Sequence, residues 1–365
     1  MRDRIRTDLC DLMLVPGLSG YEDRVRRTIR ERLPKGVAAR SDRLGNLIVT
    51  FKGDAAAPSV MLFTHMDQLG FIVRRVEPDG MICVERLGGV PERALAAQAV
   101  TLCTPDGDIP GIIGNKSHHA TMPDEKYQVL RAADIRIDTG RTNKAEVEAA
   151  GIRIGTPVVY RPQVVDMGAG RIAGTSVDDR AGCAVLLEVA RALAGRGNGP
   201  TVHMVFSVQE EFNLRGAVVA AQNLTPDIAI QIDLMIASDT ADTGDRGDMA
   251  LGAGPGISLY SFHGRGTLNG VIPHPAMVRL FEEAADGAGI PLQRSAQVGI
   301  LTDLSYVQLV GQGVASIDIG FPMRYSHSPL EMCDLRDLEG LTRLILAALP
   351  QIGADFPLNR DEDGA

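Results

Sequence analysis

Acids and histidines close four apolar runs of this chain: Ser59–Asp67 (SVMLFTHMD), Val202–Glu211 (VHMVFSVQEE), Ile228–Asp233 (IAIQID) and Val314–His327 (VASIDIGFPMRYSH). A fifth cluster, Val177-Asp178-Asp179-Arg180, opens a segment with helical spacing. A buried acid is costly unless it is paired or bound to a metal. An apolar strand that repeatedly delivers His, Asp or Glu to its end is therefore building a site. In open α/β sheets the carboxyl ends of the strands are where ligands bind. His, Asp and Glu together form the donor set that suits zinc and related divalent ions.

Each cluster alone also has an ordinary reading. His65 and Asp67 sit two apart, so on a strand they share a face, and Asp67 can orient the His65 imidazole; the same pair is common in a turn. Asp178 and Asp179 at a helix start can be caps and dipole partners, and Arg180 can neutralise one of them. Glu210 and Glu211 on extended backbone would point to opposite sides, one toward a metal and one toward a substrate water. That division of roles is what general-base hydrolysis needs. Asp233 can be a turn residue, and His327 a loop histidine bonded to backbone. Taken together, two histidines and three carboxylates at element edges can hold two divalent ions with one carboxylate between them. Such pairs are typical of aminopeptidases, phosphatases and nucleases. His118 and His119 read as surface or structural, Cys183 as core packing, and His203, His263 and His274 receive no role.

The elements that must position these residues follow an α/β rhythm. Residues 3–33 read as a helix, a Gly-containing turn (Pro16–Gly20) and a second helix, with Ile5, Leu9, Leu12 and Met13 at helical spacing. Strands are expected at 42–51, 60–64 and 202–208, and helices at 181–194, 216–222, 276–288 and 338–348. Between about Gly70 and Val165 the texture changes to short β-like runs separated by Gly, Pro and Asp, which suggests a small β-barrel or sandwich. The expected organisation is a discontinuous catalytic α/β domain over 1–69 and 166–356, a β-rich insert over 70–165, and a frayed tail over 357–365.

Bulk composition narrows the classes. The chain has 365 residues, 45% hydrophobic and 23% charged, which suits a soluble globular protein. A formal net charge of -9 argues against a nucleic-acid binder, which wants a basic patch. No window approaches the roughly 20 apolar residues of a membrane span. The charged opening MRDRIRTDLCDLMLVPGLSGYEDR has no clean signal region. Five widely spaced cysteines without a CxxC fit a reduced setting, so a cytoplasmic location is expected.

In order, the motifs are H-x-D at His65, D-D-R-x-G at Asp178, E-E-x-x-L-R-G-A at Glu210, Asp233, and R-Y-x-H-S-P at Arg324. With P-G-L-S-G-Y-E at Pro16, D-R-L-G-N-L at Asp42 and L-G-x-G-P at Leu251, they resemble the dinuclear metallo-aminopeptidases of the glutamyl/leucyl and tetrahedral aminopeptidase group, some of which carry an endoglucanase label. The likeness runs from about Leu9 to Ala348. It implies a zinc-peptidase-like mixed sheet flanked by helices, with an inserted β domain used in assembly. Carried over by position, His65 and Asp233 would bind one metal, Glu211 and His327 the other, and Asp178 would bridge. Glu210 would be the general base and Asp67 would orient His65. The cofactors implied are two divalent ions, zinc first, with cobalt or manganese as alternatives. The substrate implied is a short peptide cut at its N-terminal residue, with no nucleic acid or membrane partner, by a homo-oligomer (a dimer or dodecamer). Three departures stand out. Gln68 replaces an acid of the family, Phe212-Asn213 replaces a Val-Gly pair, and Leu301-Thr302-Asp303-Leu304 replaces G-T-D-A. The first removes a charge expected beside the metal pocket, which leaves open another amide or sugar-linked substrate on the same fold, or a non-catalytic metal-binding relative.

Overall fold

The computed structural model describes residues 1–195, 199–264 and 270–360. Four parallel strands lie side by side in the order Val202–Ser207, Val60–His65, Ile228–Ile236 and Ala315–Met323. Every residue of Val60–His65 and of Ala315–Met323 is buried. A parallel sheet covered on both faces requires that, and it explains why these segments read as continuous apolar runs rather than alternation. Within Val60–His65 the faces still divide with a period of two: Leu62 packs into the larger core, Met61 and Phe63 into the smaller one opposite. The larger core is closed by the helices Arg2–Met13, Val177–Leu193, Pro275–Ala288 and Leu335–Ala348, through Leu9, Leu186, Phe281 and Leu341 among others. The smaller is closed by Gly216–Leu224 through Ala217, Ala220 and Ala221.

Register sets the site. Ser207 lies opposite His65, and Asp233 opposite Gly320, so the carboxyl ends of the four strands meet along one edge. A Cβ at Gly320 would stand 1.9 Å from the Asp233 carbonyl oxygen, so this close approach requires glycine. Antiparallel strands flank the parallel core, Leu47–Phe51 beside Val202–Ser207 and Gly256–Phe262 beside Ala315–Met323, and make the sheet mixed.

Six strands between Gly70 and Tyr160 close into a barrel. Of the two expectations, barrel or sandwich, the barrel is what forms. Phe71, Val84, Leu102, Ile137 and Val158 fill it, and Phe71 meets Tyr160 edge to face at 5.9 Å. A small antiparallel sheet of Val164–Gly168, Arg171–Gly174 and Glu331–Asp334, not anticipated from the sequence, brings Glu331 beside the start of the helix Val177–Leu193. No helix among the described residues is long and apolar enough to cross a membrane.

Candidate metal centre

The seven residues singled out in the sequence converge at the shared strand edge. His65 ends its strand fully enclosed, 1% exposed. Its Nε2 lies 3.0 Å from Asp178 Oδ1, and its Nδ1 lies 3.5 Å from Asp67 Oδ1. The other oxygen of Asp178, Oδ2, lies 3.5 Å from His327 Nε2, and Glu211 Oε2 lies 3.9 Å from that same nitrogen. His327 turns Nε2 toward the acids because its Nδ1 pairs with the Gly89 carbonyl at 3.1 Å. Asp233 closes the other side, fixed by the Gln231 amide, which donates to its Oδ2 at 2.9 Å.

Two groups of donor atoms result, His65–Asp178–Asp233 and Asp178–Glu211–His327, each with its atoms within 4.8 Å of one another. Asp178 is common to both. Asp179 is not part of either: its Oδ1 accepts the Gly182 N–H at 2.9 Å and its Oδ2 the Thr64 hydroxyl. The adjacent acids thus divide, one facing the site and one capping the helix start. A Cβ at Gly182 would stand 2.3 Å from Asp179 Oδ2, which explains the glycine of that motif.

The backbone around the site is unusual. Ser176, Gln209, Asn213, Leu214, Tyr325 and His327 are all non-glycine residues with φ between 56° and 66°. Such conformations are costly and persist where the surrounding structure enforces them. They also alter one expectation. The strand ends at Ser207, and the left-handed Gln209 turns the chain, so Glu210 and Glu211 do not splay to opposite sides of a strand. Both line the same cleft.

Asp67 lies beneath the cluster, fully buried. Its Oδ1 accepts the Glu210 N–H at 3.0 Å, and its Oδ2 accepts the Glu211 N–H at 3.1 Å and the Ser19 hydroxyl at 2.6 Å. Glu331 acts similarly on the far side, where Oε1 accepts the His327 N–H at 2.8 Å and Oε2 the Asp178 N–H at 3.0 Å. Sequence reasoning missed Ser19 and Glu331. The available signals were slight: Ser19 in the Gly17–Gly20 turn, and an acid opening the short strand EMCD.

Electrostatically the cluster has too much negative charge for its depth. Burial drives the Glu210 and Glu211 carboxyls well above the usual range, reinforced by neighbouring acids. Burial and Asp178 push Asp233 up to about 7. Burial opposes a charged His65, yet the Asp178 hydrogen bond and the nearby Asp67 carboxylate hold the imidazole well above its ordinary value. Glu211 Oε1 and His65 Nδ1 have no hydrogen-bond partner although fully buried. Paired buried groups without partners, an acid-rich His/Asp/Glu set and a shared carboxylate fit divalent cations.

The departures from the family pattern fall in different places. Gln68 is not in the cleft wall. Its Oε1 accepts the Gly17 N–H at 3.0 Å and the Arg180 guanidinium at 3.4 Å. The change at position 68 therefore touches a buried arginine, and it also borders a small pocket that Asp178, Glu211 and His327 line. Arg180 is fully enclosed, and burial lowers it to about 10. Phe212 is exposed, stacked 5.6 Å from Arg215, whereas Asn213 lines the cleft. Cys183 is buried in the core as expected, His118 and His119 are exposed, and His263 stands at the cleft.

The chain is similar along most of its length to known aminopeptidases. The family model described as M42 glutamyl aminopeptidase matches residues 45–344. SgcX of Escherichia coli is 38% identical over 322 residues, 88% of this chain and 86% of that protein. The lysyl aminopeptidase of Pyrococcus furiosus is 32% identical over 341 residues, 92% of this chain and 94% of that one. Among solved structures, the aminopeptidase APDkam598 of Desulfurococcus kamchatkensis has a TM-score of 0.91 at 33% identity, covering 97% of each chain. The TET1 peptidase of Pyrococcus horikoshii, which assembles into a tetrahedron or a large octahedral shell, has a TM-score of 0.85 at 27% identity, covering 94% of this chain and 99% of that one.

Proposed function

The chain belongs to the M42 glutamyl aminopeptidase family, and from that membership we propose how its residues carry out the hydrolysis of N-terminal residues from short peptides. The family is one of metal-dependent exopeptidases, and the chain is an aminopeptidase. In our reading His65 and Asp233 hold one divalent ion, Glu211 and His327 a second, and Asp178 spans both. The observation that carries this is the division of the Asp178 carboxylate, one oxygen toward each histidine. Bound there, such ions supply Lewis-acid polarisation of the scissile carbonyl and make a water easier to deprotonate. Zinc is the first expectation, cobalt or manganese the alternatives.

Glu210 is the general base in this account. It lines the cleft, and burial raises its affinity for a proton; as the carboxylate it would take a proton from the attacking water and, once protonated, return it to the leaving amine. Asp67 acts through others: it faces His65 Nδ1 and fixes the peptide N–H groups of Glu210 and Glu211, so base and ligand stay in register. A glycosidase would need two carboxylates flanking a sugar bond and no metal. Here the acids converge on histidines, which favours peptide hydrolysis.

We also propose residues 70–165 as an assembly unit and residues 1–69 with 166–356 as the catalytic unit, and expect a homo-oligomer in the cytoplasm. The assembly of TET1 into closed shells motivates the oligomer. Release of p-nitroaniline from aminoacyl-p-nitroanilides, abolished by chelation and restored by Zn²⁺ or Co²⁺, tests the activity. No release with any metal, and Glu210→Gln indistinguishable from wild type, would count against it.

A further inference from the structure

The cleft, about 820 Å³, extends past the histidine–carboxylate cluster. Beyond the cluster its wall holds Leu214, Leu234, Ile236, Ile300 and Leu301, with Tyr306 and the uncharged polar Asn213, Thr302 and Ser326. Three elements supply this wall. Leu234 and Ile236 continue the strand that presents Asp233. Leu214 follows Glu210-Glu211 in a left-handed turn. Ile300 and Leu301 lie on the connection between the strand Gln293–Val298 and the short helix Leu304–Val307. Every acid in the lining (Asp178, Glu210, Glu211 and Asp233) belongs to the cluster itself. Among the described residues the lining holds no lysine or arginine, and His263, exposed at the rim, is the one base outside the cluster.

We propose that this wall receives the side chain of the substrate's N-terminal residue and selects large apolar residues of the leucine, methionine and phenylalanine type. The inference rests on the aminopeptidase reading of the adjoining cluster and adds the substrate class to it. The carbonyl at the cluster fixes where the N-terminal residue sits, so its side chain must lie against whatever surrounds Asp233 and Glu210. An apolar side chain gains there by leaving water. Among the described residues of the lining, a glutamate or aspartate side chain would lose its hydration without finding a cation other than the exposed His263. Among those same residues, a lysine would find only the carboxylates of the cluster itself. Half-exposed Ile236 and Ile300 leave depth for a side chain longer than alanine's.

The test is a panel of leucyl-, methionyl-, phenylalanyl-, alanyl-, glutamyl-, aspartyl- and lysyl-p-nitroanilides with the full metal-loaded chain, read as kcat/KM. The three large apolar substrates should exceed the glutamyl, aspartyl and lysyl ones by about tenfold or more, and exceed alanyl severalfold. A charged substrate within tenfold of the best apolar one would overturn the inference and leave the aminopeptidase reading standing. No release from any member would overturn both. Ile300→Lys supplies a second reading, because it places a cation in the wall: the ratio of leucyl to glutamyl turnover should fall by about tenfold. An unchanged ratio in the folded variant would mean that this wall does not meet the side chain.

Discussion

Asp67 and Glu210 are joined through the main chain: Asp67 Oδ1 accepts the Glu210 N–H at 3.0 Å while lying 3.5 Å from His65 Nδ1. One buried carboxylate thus references both a proposed ligand and the proposed base. Asp67→Ala leaves two buried N–H donors and the Ser19 hydroxyl without their acceptor. Metal affinity, measured by chelator competition, should weaken by about 10–100-fold, as for other residues that orient ligands. Unchanged affinity would remove Asp67 from this role.

Glu210→Gln separates binding from chemistry. The side chain keeps its size and loses its capacity to take a proton. Metal content should be retained while kcat falls by about 10²–10⁴-fold. If kcat is preserved, the base lies elsewhere.

Glu331 joins Asp178 and His327 by accepting one backbone N–H from each. In Glu331→Gln one oxygen becomes an amide N–H₂ facing a donor, so one of those peptide groups goes unsatisfied. Stability to urea should drop by about 1–3 kcal/mol, and His327, freed from its left-handed turn, should bind metal more weakly. The conservative variant Glu331→Asp should not restore both bonds, because its shorter chain cannot span them. A Glu331→Gln protein of wild-type stability and metal affinity would contradict this.

Stability should also fall with rising pH through Asp318. Burial, then Asp233, raises its carboxyl from 3.8 to about 8, and Thr302 donates to it at 3.2 Å. A raised folded-state value means the folded protein holds the proton more tightly than the unfolded chain. The associated stability is complete below the ordinary value of 3.8 and declines as pH rises toward about 8. Asp318→Asn should flatten the dependence of unfolding free energy on pH in that window. A wild-type and variant pair with parallel curves would show that Asp318 does not titrate as described.

Much of the site was legible in the sequence because parallel strands covered on both faces must be apolar, which makes the acids and histidines at their ends conspicuous. Asp178 and His65 are 113 positions apart, yet both were visible because each closes such an element. Glu331 and Ser19 were not, since their roles are hydrogen bonds to distant backbone and carry no pattern of their own. Gln68 was legible only in part: it lines a small pocket beside Asp178, Glu211 and His327, as its neighbour Asp67 suggests, while its Oε1 accepts from Gly17 and Arg180, which no local pattern announces. The barrel's closure was hidden too, because the strand Ile137–Asp138 that completes it is two residues long. The turn at Gln209 that brings Glu210 and Glu211 to one cleft depends on a left-handed non-glycine residue, which sequence disfavours rather than predicts.

The central claim, that Asp178 serves two ions, is tested most directly by counting metal. Chain purified, stripped and reloaded with Zn²⁺ should carry two tightly held ions per polypeptide by elemental mass spectrometry. Asp178→Asn, folded by circular dichroism, should lose both. A wild-type protein that binds one ion, or an Asp178→Asn variant that still holds two, would contradict the account.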